Sequence, residues 1–240
     1  MLADIHRAVF SVLGVDDQGG IHRGTAFTIG PDLLITCEHV IRGVTIFRIV
    51  SEEPIFDGRN NTRAEVVTRD DVRDLALLKG VIPAPQVLEI STAQKVDDAT
   101  PLLVWTWPGW GKRGSSSVRP EESIMRSVQR AAVVTCWWPA KERSVPSFSF
   151  AGHVEEGMSG GPIVSALTGE VVGVVTAAWN IDPTEVAENW RDNVQGIGRY
   201  TFSEFLGATP DQVVEAQLML GMGMALPAQE LRDFIETSLH

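Results

Sequence analysis

Ser159 stands in the segment Gly157-Met158-Ser159-Gly160-Gly161-Pro162, after the acidic pair Glu155-Glu156 and before the apolar Ile163-Val164. A serine among glycines, with a proline to break the backbone behind it, is poor material for a helix or a central strand. It suits a tight loop with inward amides and an exposed hydroxyl, which is how a nucleophilic serine and its oxyanion donors are presented. A Gly-rich surface turn is the plain alternative. A serine hydroxyl is a weak nucleophile at neutral pH, so it needs an imidazole to take its proton and a carboxylate to orient that imidazole. Of the five histidines, His39 alone directly follows a strongly β-patterned segment, where a sheet rim would hold it; a rim or core role fits the same position. Asp74 opens the apolar run Leu75-Ala76-Leu77-Leu78, as a catalytic carboxylate or as a simple cap or turn residue. Asp70 and Asp71 read as solvated turn members.

The elements that must position these residues are short strands. Residues 7–15 read as a strand after a short helical lead, and 16–20 as a turn. Gly24 to Ile29 and Leu33 to Thr36 form a hairpin-like unit ending just before Cys37-Glu38-His39. Further strand patterns cover 44–50, 62–68, 75–78, 102–107, 128–138, 147–150, 163–165, 170–178 and 194–201, at spacings near ten residues. Eleven to thirteen such strands predict an all-β barrel or sandwich. The period changes at the end. Thr209-Pro210-Asp211 starts a helix, Gly221-Met222-Gly223-Met224 breaks it, and Pro227-Ala228-Gln229-Glu230 starts a second, with Leu231, Phe234, Ile235 and Leu239 on one side. Met219, Met222 and Met224 are expected to pack these two helices.

Composition narrows the function. The chain has 240 residues, 44% hydrophobic and 21% charged, so disorder is not expected. A net charge of -11, with no basic run longer than Lys112-Arg113, argues against a nucleic-acid partner. The longest apolar stretch, Val171 to Trp179, falls well short of the ~20 residues a membrane helix needs. No export signal is evident at Met1 to His6, and two cysteines, Cys37 and Cys136, imply no disulfide framework. A reducing, cytoplasmic setting is the expectation.

The segments Gly24-Thr25-Ala26-Phe27, Leu34-Ile35-Thr36-Cys37-Glu38-His39-Val40, Asp74-Leu75-Ala76-Leu77-Leu78 and Gly157-Met158-Ser159-Gly160-Gly161-Pro162 resemble, in order and spacing, the signature segments of trypsin-like serine peptidases. The closer likeness is to the bacterial HtrA/Deg-type protease domain, here without a PDZ domain. Gly169 to Ala177 and Gly196 to Tyr200 extend it, over roughly residues 7–205. The resemblance implies an all-β fold of two packed six-stranded antiparallel β-barrels, at about 7–100 and 101–205, followed by a C-terminal helical segment, 206–240, packed on them. It implies a catalytic triad of His39, Asp74 and Ser159 across the barrel interface, and an oxyanion hole from the amides of Gly157 and Ser159. No cofactor and no metal are implied. The partner is a protein or peptide substrate, with a regulatory protein or further domains of a longer chain also compatible. A different class remains beside the enzyme: a protease-shaped regulatory or binding module, latent until a partner orders the oxyanion loop.

Two competing motifs fail. Gly157-x-Ser159-x-Gly161 also fits the nucleophile elbow of α/β-hydrolases, but those run Ser, then acid, then His, and only the terminal His240 follows Ser159. Gly109 to Ser115 is no phosphate loop, since its lysine is not next to the final serine. Some residues depart from the family. Met158 replaces the Asp of secreted trypsins and the usual Asn of the HtrA-like group, and is expected to fill apolar space under the loop. Glu38 replaces a common Ala and, in an extended segment, is expected to point away from His39 into solvent. Cys37 reads as a small buried residue. By the same resemblance His153, Val175, Thr176, Ala177 and Ala178 line the pocket for the residue before the cut. The absence of Asp at 153 and of His at 175, with Ala177 and Ala178 narrowing the mouth, points to a small or medium aliphatic preference. Trp105, Trp107, Trp110, Trp137 and Trp138 read as packing, with a protein-binding patch as the alternative.

Overall fold

A computed structural model describes residues 2–51, 61–82, 86–97, 100–107, 127–139, 145–152, 154, 156–179 and 222–239. A 3-10 helix over Leu2–Ala8 leads into β1 (Val9–Asp16), which turns back into β2 (Ile21–Thr28). Asp16 makes that turn, its carboxylate accepting from the N–H groups of Gln18 and Gly20. Then come β3 (Leu33–Cys37), the single helical turn α1 (Glu38–Ile41), β4 (Val44–Val50), β5 (Asn61–Asp70) and β6 (Leu75–Gly80). These six strands close a barrel in the order β1-β2-β3-β6-β5-β4, all pairs antiparallel.

The second sheet is built from β7 (Pro101–Thr106), β8 (Ser127–Pro139), β9 (Pro146–Ala151), β10 (Pro162–Ser165), β11 (Val171–Trp179) and β12 (Met222–Pro227). Here the expected fold needs correction. Among the described residues, 101–205 supply five strands, β7 to β11, and by themselves these form an open sheet rather than a second six-stranded barrel. The gap between the edges β9 and β11 is filled by β12, which pairs with both and completes the ring β10-β11-β12-β9-β8-β7. That strand comes from the stretch assigned to a helical tail. Met222 and Met224, expected to pack a helix pair, are strand residues, and one helix follows, α2 (Ala228–Leu239). The reason is tertiary. Gly223 lets β12 lie against the Phe150 ring, where an added Cβ would come within 2.1 Å of a ring carbon. Pairing with two open sheet edges then satisfies backbone groups that a helix would otherwise satisfy internally. The helix start expected at 209–211 and the strand expected at 194–201 lie outside the described residues.

Among the described residues two apolar clusters form the core. The first gathers Phe10, Phe27, Leu34, Ile35, Leu75 and Leu77 of the first barrel with Trp107, Val171, Val174, Leu231 and Phe234, so α2 packs against β6 of the first barrel as well as against β11 and β12 of the second sheet. The second gathers Leu102, Val104, Phe148, Phe150, Ile163 and Val175 around Met158. Each such side chain, once buried, contributes on the order of 1.5–3 kcal/mol. Trp105 and Trp107 are buried as expected, and the Trp107 indole N–H donates to the Val9 carbonyl, linking the two sheets. Among the described residues no helix is long and apolar enough to cross a membrane.

Candidate active site

β3 carries the chain to Cys37, and α1 begins at once, so His39 lies in a helical turn rather than on an extended strand end. The first N–H groups of a helical turn have no partner within it. Asp74 supplies them: its carbonyl accepts from the Glu38 N–H at 3.1 Å and its carboxylate from the His39 N–H at 3.0 Å. The same carboxylate meets the His39 ring, with Nδ1 at 2.8 Å from Oδ2 and 3.0 Å from Oδ1. An ionised carboxylate only accepts, so beside ionised Asp74 it is Nδ1 that carries a ring proton, and in a neutral ring Nε2 then keeps a lone pair. Asp74 is fully buried while the His39 side chain is 36% exposed, so the imidazole stands between a buried carboxyl group and the solvent. The backbone at Asp74 is left-handed, with φ of 58°, an unusual conformation for a residue with a side chain. It lets one residue turn both its carbonyl and its carboxylate towards α1.

The loop 157–161 is pinned by one residue of the first barrel, Thr25. Its hydroxyl donates to the Gly157 carbonyl at 2.8 Å and accepts from the Trp107 N–H at 2.9 Å, while its N–H donates to the Ser159 carbonyl at 2.8 Å. Its own carbonyl accepts from the Thr36 hydroxyl at 2.7 Å. On the other side the Gly160 N–H donates to the Val175 carbonyl at 2.7 Å, and the Val175 N–H to the Gly161 carbonyl at 2.9 Å. The approach is close enough to demand glycine. A Cβ on Gly160 would come within 2.1 Å of the Thr25 carbonyl oxygen, and φ there is 87°. Gly157, with φ of 93°, likewise takes a conformation that other residues rarely adopt. Met158 is fully buried within the second cluster, filling apolar space beneath the loop as expected.

The Ser159 hydroxyl donates to the Thr176 carbonyl at 3.5 Å, the long limit of a hydrogen bond. Thr176 sits where the β11–β12 register shifts between Val175 and Ala177, and its own hydroxyl donates to the Met224 carbonyl at 3.3 Å. Such bulges re-aim residues next to functional sites. Val175 packs into the second cluster, and its carbonyl also accepts from the Cys37 thiol at 3.2 Å. Ala177 and Ala178 pair through the backbone with Met224 and Gly223. Their side chains, and His153 altogether, lie outside the described residues. The structure therefore brings Ser159, Gly157, Val175 and Thr176 into one loop–strand unit, and His39 and Asp74 into one pair beside Cys37.

Glu38 corrects an expectation. It is 5% exposed rather than solvent-facing, and its carboxylate binds the Arg42 guanidinium one turn on, Nε lying 2.8 Å from Oε2. The reason is the helical turn: side chains four residues apart share a face, whereas the expectation assumed extended chain. Asp70 is likewise no free turn residue. It accepts from the N–H groups of Val72 and Arg73, and its Oδ2 lies 2.8 Å from the Arg73 Nη1. Cys37 is fully buried, as read from the sequence. The metal-binding atoms of Cys37, His39 and Asp74 lie within 4.8 Å of one another, but these donors are committed: the thiol to Val175, the carboxylate to the ring and N–H of His39.

The sequence of residues 24–174 matches the trypsin-like peptidase domain. The chain belongs to this family. Among trypsin-like peptidases it is 28% identical to the serine protease Rv3671c of Mycobacterium tuberculosis over 156 residues, which is 65% of this chain and 36% of that protein. The chain thus spans about a third of the length of the curated relative it matches. Solved protease structures repeat the fold. The active form of the Rv3671c protease superposes with a TM-score of 0.66 at 20% identity, covering 97% of this chain and 81% of that one. The HtrA-type protease AlgW with a tripeptide gives 0.67 at 16% identity, covering 98% and 61%.

Thr25, Arg73 and Glu230 are the site's neighbours that sequence reasoning passed over. Thr25 had a signal, because it lies inside a segment that carries the family resemblance. Arg73 and Glu230 had none, since their partnership spans 157 positions.

Proposed function

We propose that this chain is a serine endopeptidase in which His39, Asp74 and Ser159 form the catalytic triad. The observation that carries the reading is the grip of the buried Asp74 carboxylate on the His39 Nδ1–H, which leaves Nε2 as a base on the solvent side. Rotation of the Ser159 hydroxyl away from its long bond to Thr176 frees it for that base; such contacts commonly tighten only when substrate binds. Ser159 Oγ then attacks the peptide carbonyl carbon while its proton passes to Nε2. The tetrahedral oxyanion takes hydrogen bonds from the amides of Gly157 and Ser159, each worth about 3 kcal/mol in the transition state. The C–N bond breaks as Nε2 returns the proton to the departing amine. Water, deprotonated by the same nitrogen, attacks the acyl-enzyme, and Ser159 leaves with its proton restored.

The proposed substrate preference is a small or medium aliphatic residue before the cut, in a pocket involving His153, Val175, Thr176, Ala177 and Ala178. A peptide library dominated by cuts after Arg or Lys would refute it. The deciding experiment for the activity is labelling by a serine-directed fluorophosphonate. Wild-type protein takes up one label per chain and hydrolyses peptides, whereas Ser159→Ala folds, takes up none and turns nothing over. Full peptidase activity in Ser159→Ala overturns the assignment. The bond from Ser159 to Thr176 also suits a latent module; that reading requires labelling to be silent until a partner protein is added.

A further inference from the structure

Resting on the proposed triad, we infer that Arg73 and Glu230 are positioning residues: an ion pair from the C-terminal helix holds the Asp74 turn, and through it His39, in working geometry. The chain of contacts is continuous. Asp70 ends β5 and organises the turn by accepting from the N–H groups of Val72 and Arg73. The Arg73 guanidinium is then held from two directions, by Asp70 through Nη1 at 2.8 Å and by Glu230 through Nε at 3.0 Å. Glu230 is in the first turn of α2, and all three side chains are partly shielded, at 31%, 20% and 15% exposure for Arg73, Asp70 and Glu230. The next residue is Asp74, at φ of 58°.

A left-handed aspartate is strained and persists where its surroundings over-determine it. On its C-terminal side the constraint is β6, with Leu75 paired to Cys37 and buried. On its N-terminal side the constraint is Arg73, and the group fixing Arg73 from outside the turn is Glu230. Helix α2 is itself anchored: Leu231 and Phe234 are buried in the first cluster, and the Arg232 guanidinium donates to the Ser91 carbonyl. The chain enters α2 directly from β12, whose Met224 carbonyl holds Thr176 beside Ser159. Residues 222–239 therefore act as a strap with one end on the serine side of the site and the other on the acid side.

Kinetics and a proton signal read this role together. Glu230→Gln keeps the size of the side chain and removes its charge; Arg73→Met removes the bridge, and Arg73→Lys keeps a cation without the two-directional fork. In Glu230→Gln and Arg73→Met, kcat on a peptide falls about 3- to 30-fold, the scale of coupling between packed neighbours. KM stays within about twofold, as for an interaction felt in the transition state. The downfield proton resonance of His39 Nδ1–H weakens in parallel, and Arg73→Lys recovers part of both. Variants that melt earlier yet keep wild-type kcat and an unchanged resonance overturn the inference, because that pattern is a purely structural ion pair. The resonance is recorded on wild-type protein whether or not it turns over substrate. Absent turnover would sink the peptidase reading, and the spectrum would still decide this one.

Discussion

At the scale of single residues, Thr25 shows how much of the site hangs on one hydroxyl. It is bonded to the Gly157 carbonyl and the Trp107 N–H at once, in a buried position between the two sheets. Valine has nearly the same shape without either bonding capacity. Thr25→Val leaves two buried backbone groups without that partner, at a cost of about 1–3 kcal/mol. Denaturant unfolding should show the midpoint falling with an unchanged slope, while fluorophosphonate labelling slows because the Gly157 peptide loses its anchor. Thr25→Ser should recover most of both. The residue scale is also where sequence reading misjudged Glu38. An isolated carboxylate beside His39 reads as exposed only if the chain there is a strand. Because α1 is a helical turn, Arg42 comes into reach and Glu38 is buried against it.

At the scale of elements, the turn between β5 and β6 responds to pH in a defined direction. Burial pushes the Asp70 carboxyl up, but the Arg73 N–H and guanidinium outweigh it and hold the group below the ordinary value of 3.8. A carboxyl with a lowered folded-state pKa stabilises the fold fully above its ordinary value and loses that contribution as pH falls through the folded one. Asp70→Asn does not titrate, so the difference in Tm between wild type and Asp70→Asn should be widest near neutral pH. It should close as the pH falls through and below 3.8. A gap that widens on acidification would contradict this account of the turn. The element scale also explains why β6 reads as a buried strand although its residues do not alternate. Leu75, Ala76, Leu77 and Leu78 are all buried, facing the barrel interior on one side and covered on the other. Such a run shows no period of two, and its length and flanking turn residues, rather than alternation, mark it as a strand.

At the scale of the whole molecule, the decisive element is β12. The five strands β7 to β11 leave two open edges, and Met222–Pro227 joins them. A chain ending at residue 221 loses this strand, the Met224 carbonyl that holds Thr176, and the helix that carries Glu230. Such a truncation should fail to label with fluorophosphonate and should expose apolar surface to a hydrophobic dye, whereas a chain lacking only the terminal His240 should behave as wild type. A labelled, cooperatively unfolding 1–221 fragment would show that the first barrel and an open second sheet suffice. The failure to foresee β12 has a physical origin. Gly221-Met222-Gly223-Met224 carries no local preference strong enough to declare a strand. Its state is set by edges formed by residues more than forty positions away.

The sequence by itself determined the β-rich class, the family, and which side chains could do chemistry. Those features are local: short apolar strands between turns, a serine among glycines, a histidine after one buried strand and an aspartate before another. Only the tertiary structure decided that Asp74 is left-handed and grips both the ring and the backbone of His39, and that Thr25 pins the serine loop from the other sheet. It also decided that the last strand of the second sheet lies in the supposed helical tail. Each of these depends on groups far apart in the chain whose hydrogen bonds and packing exist only after the sheets close, so no window of sequence contains both partners.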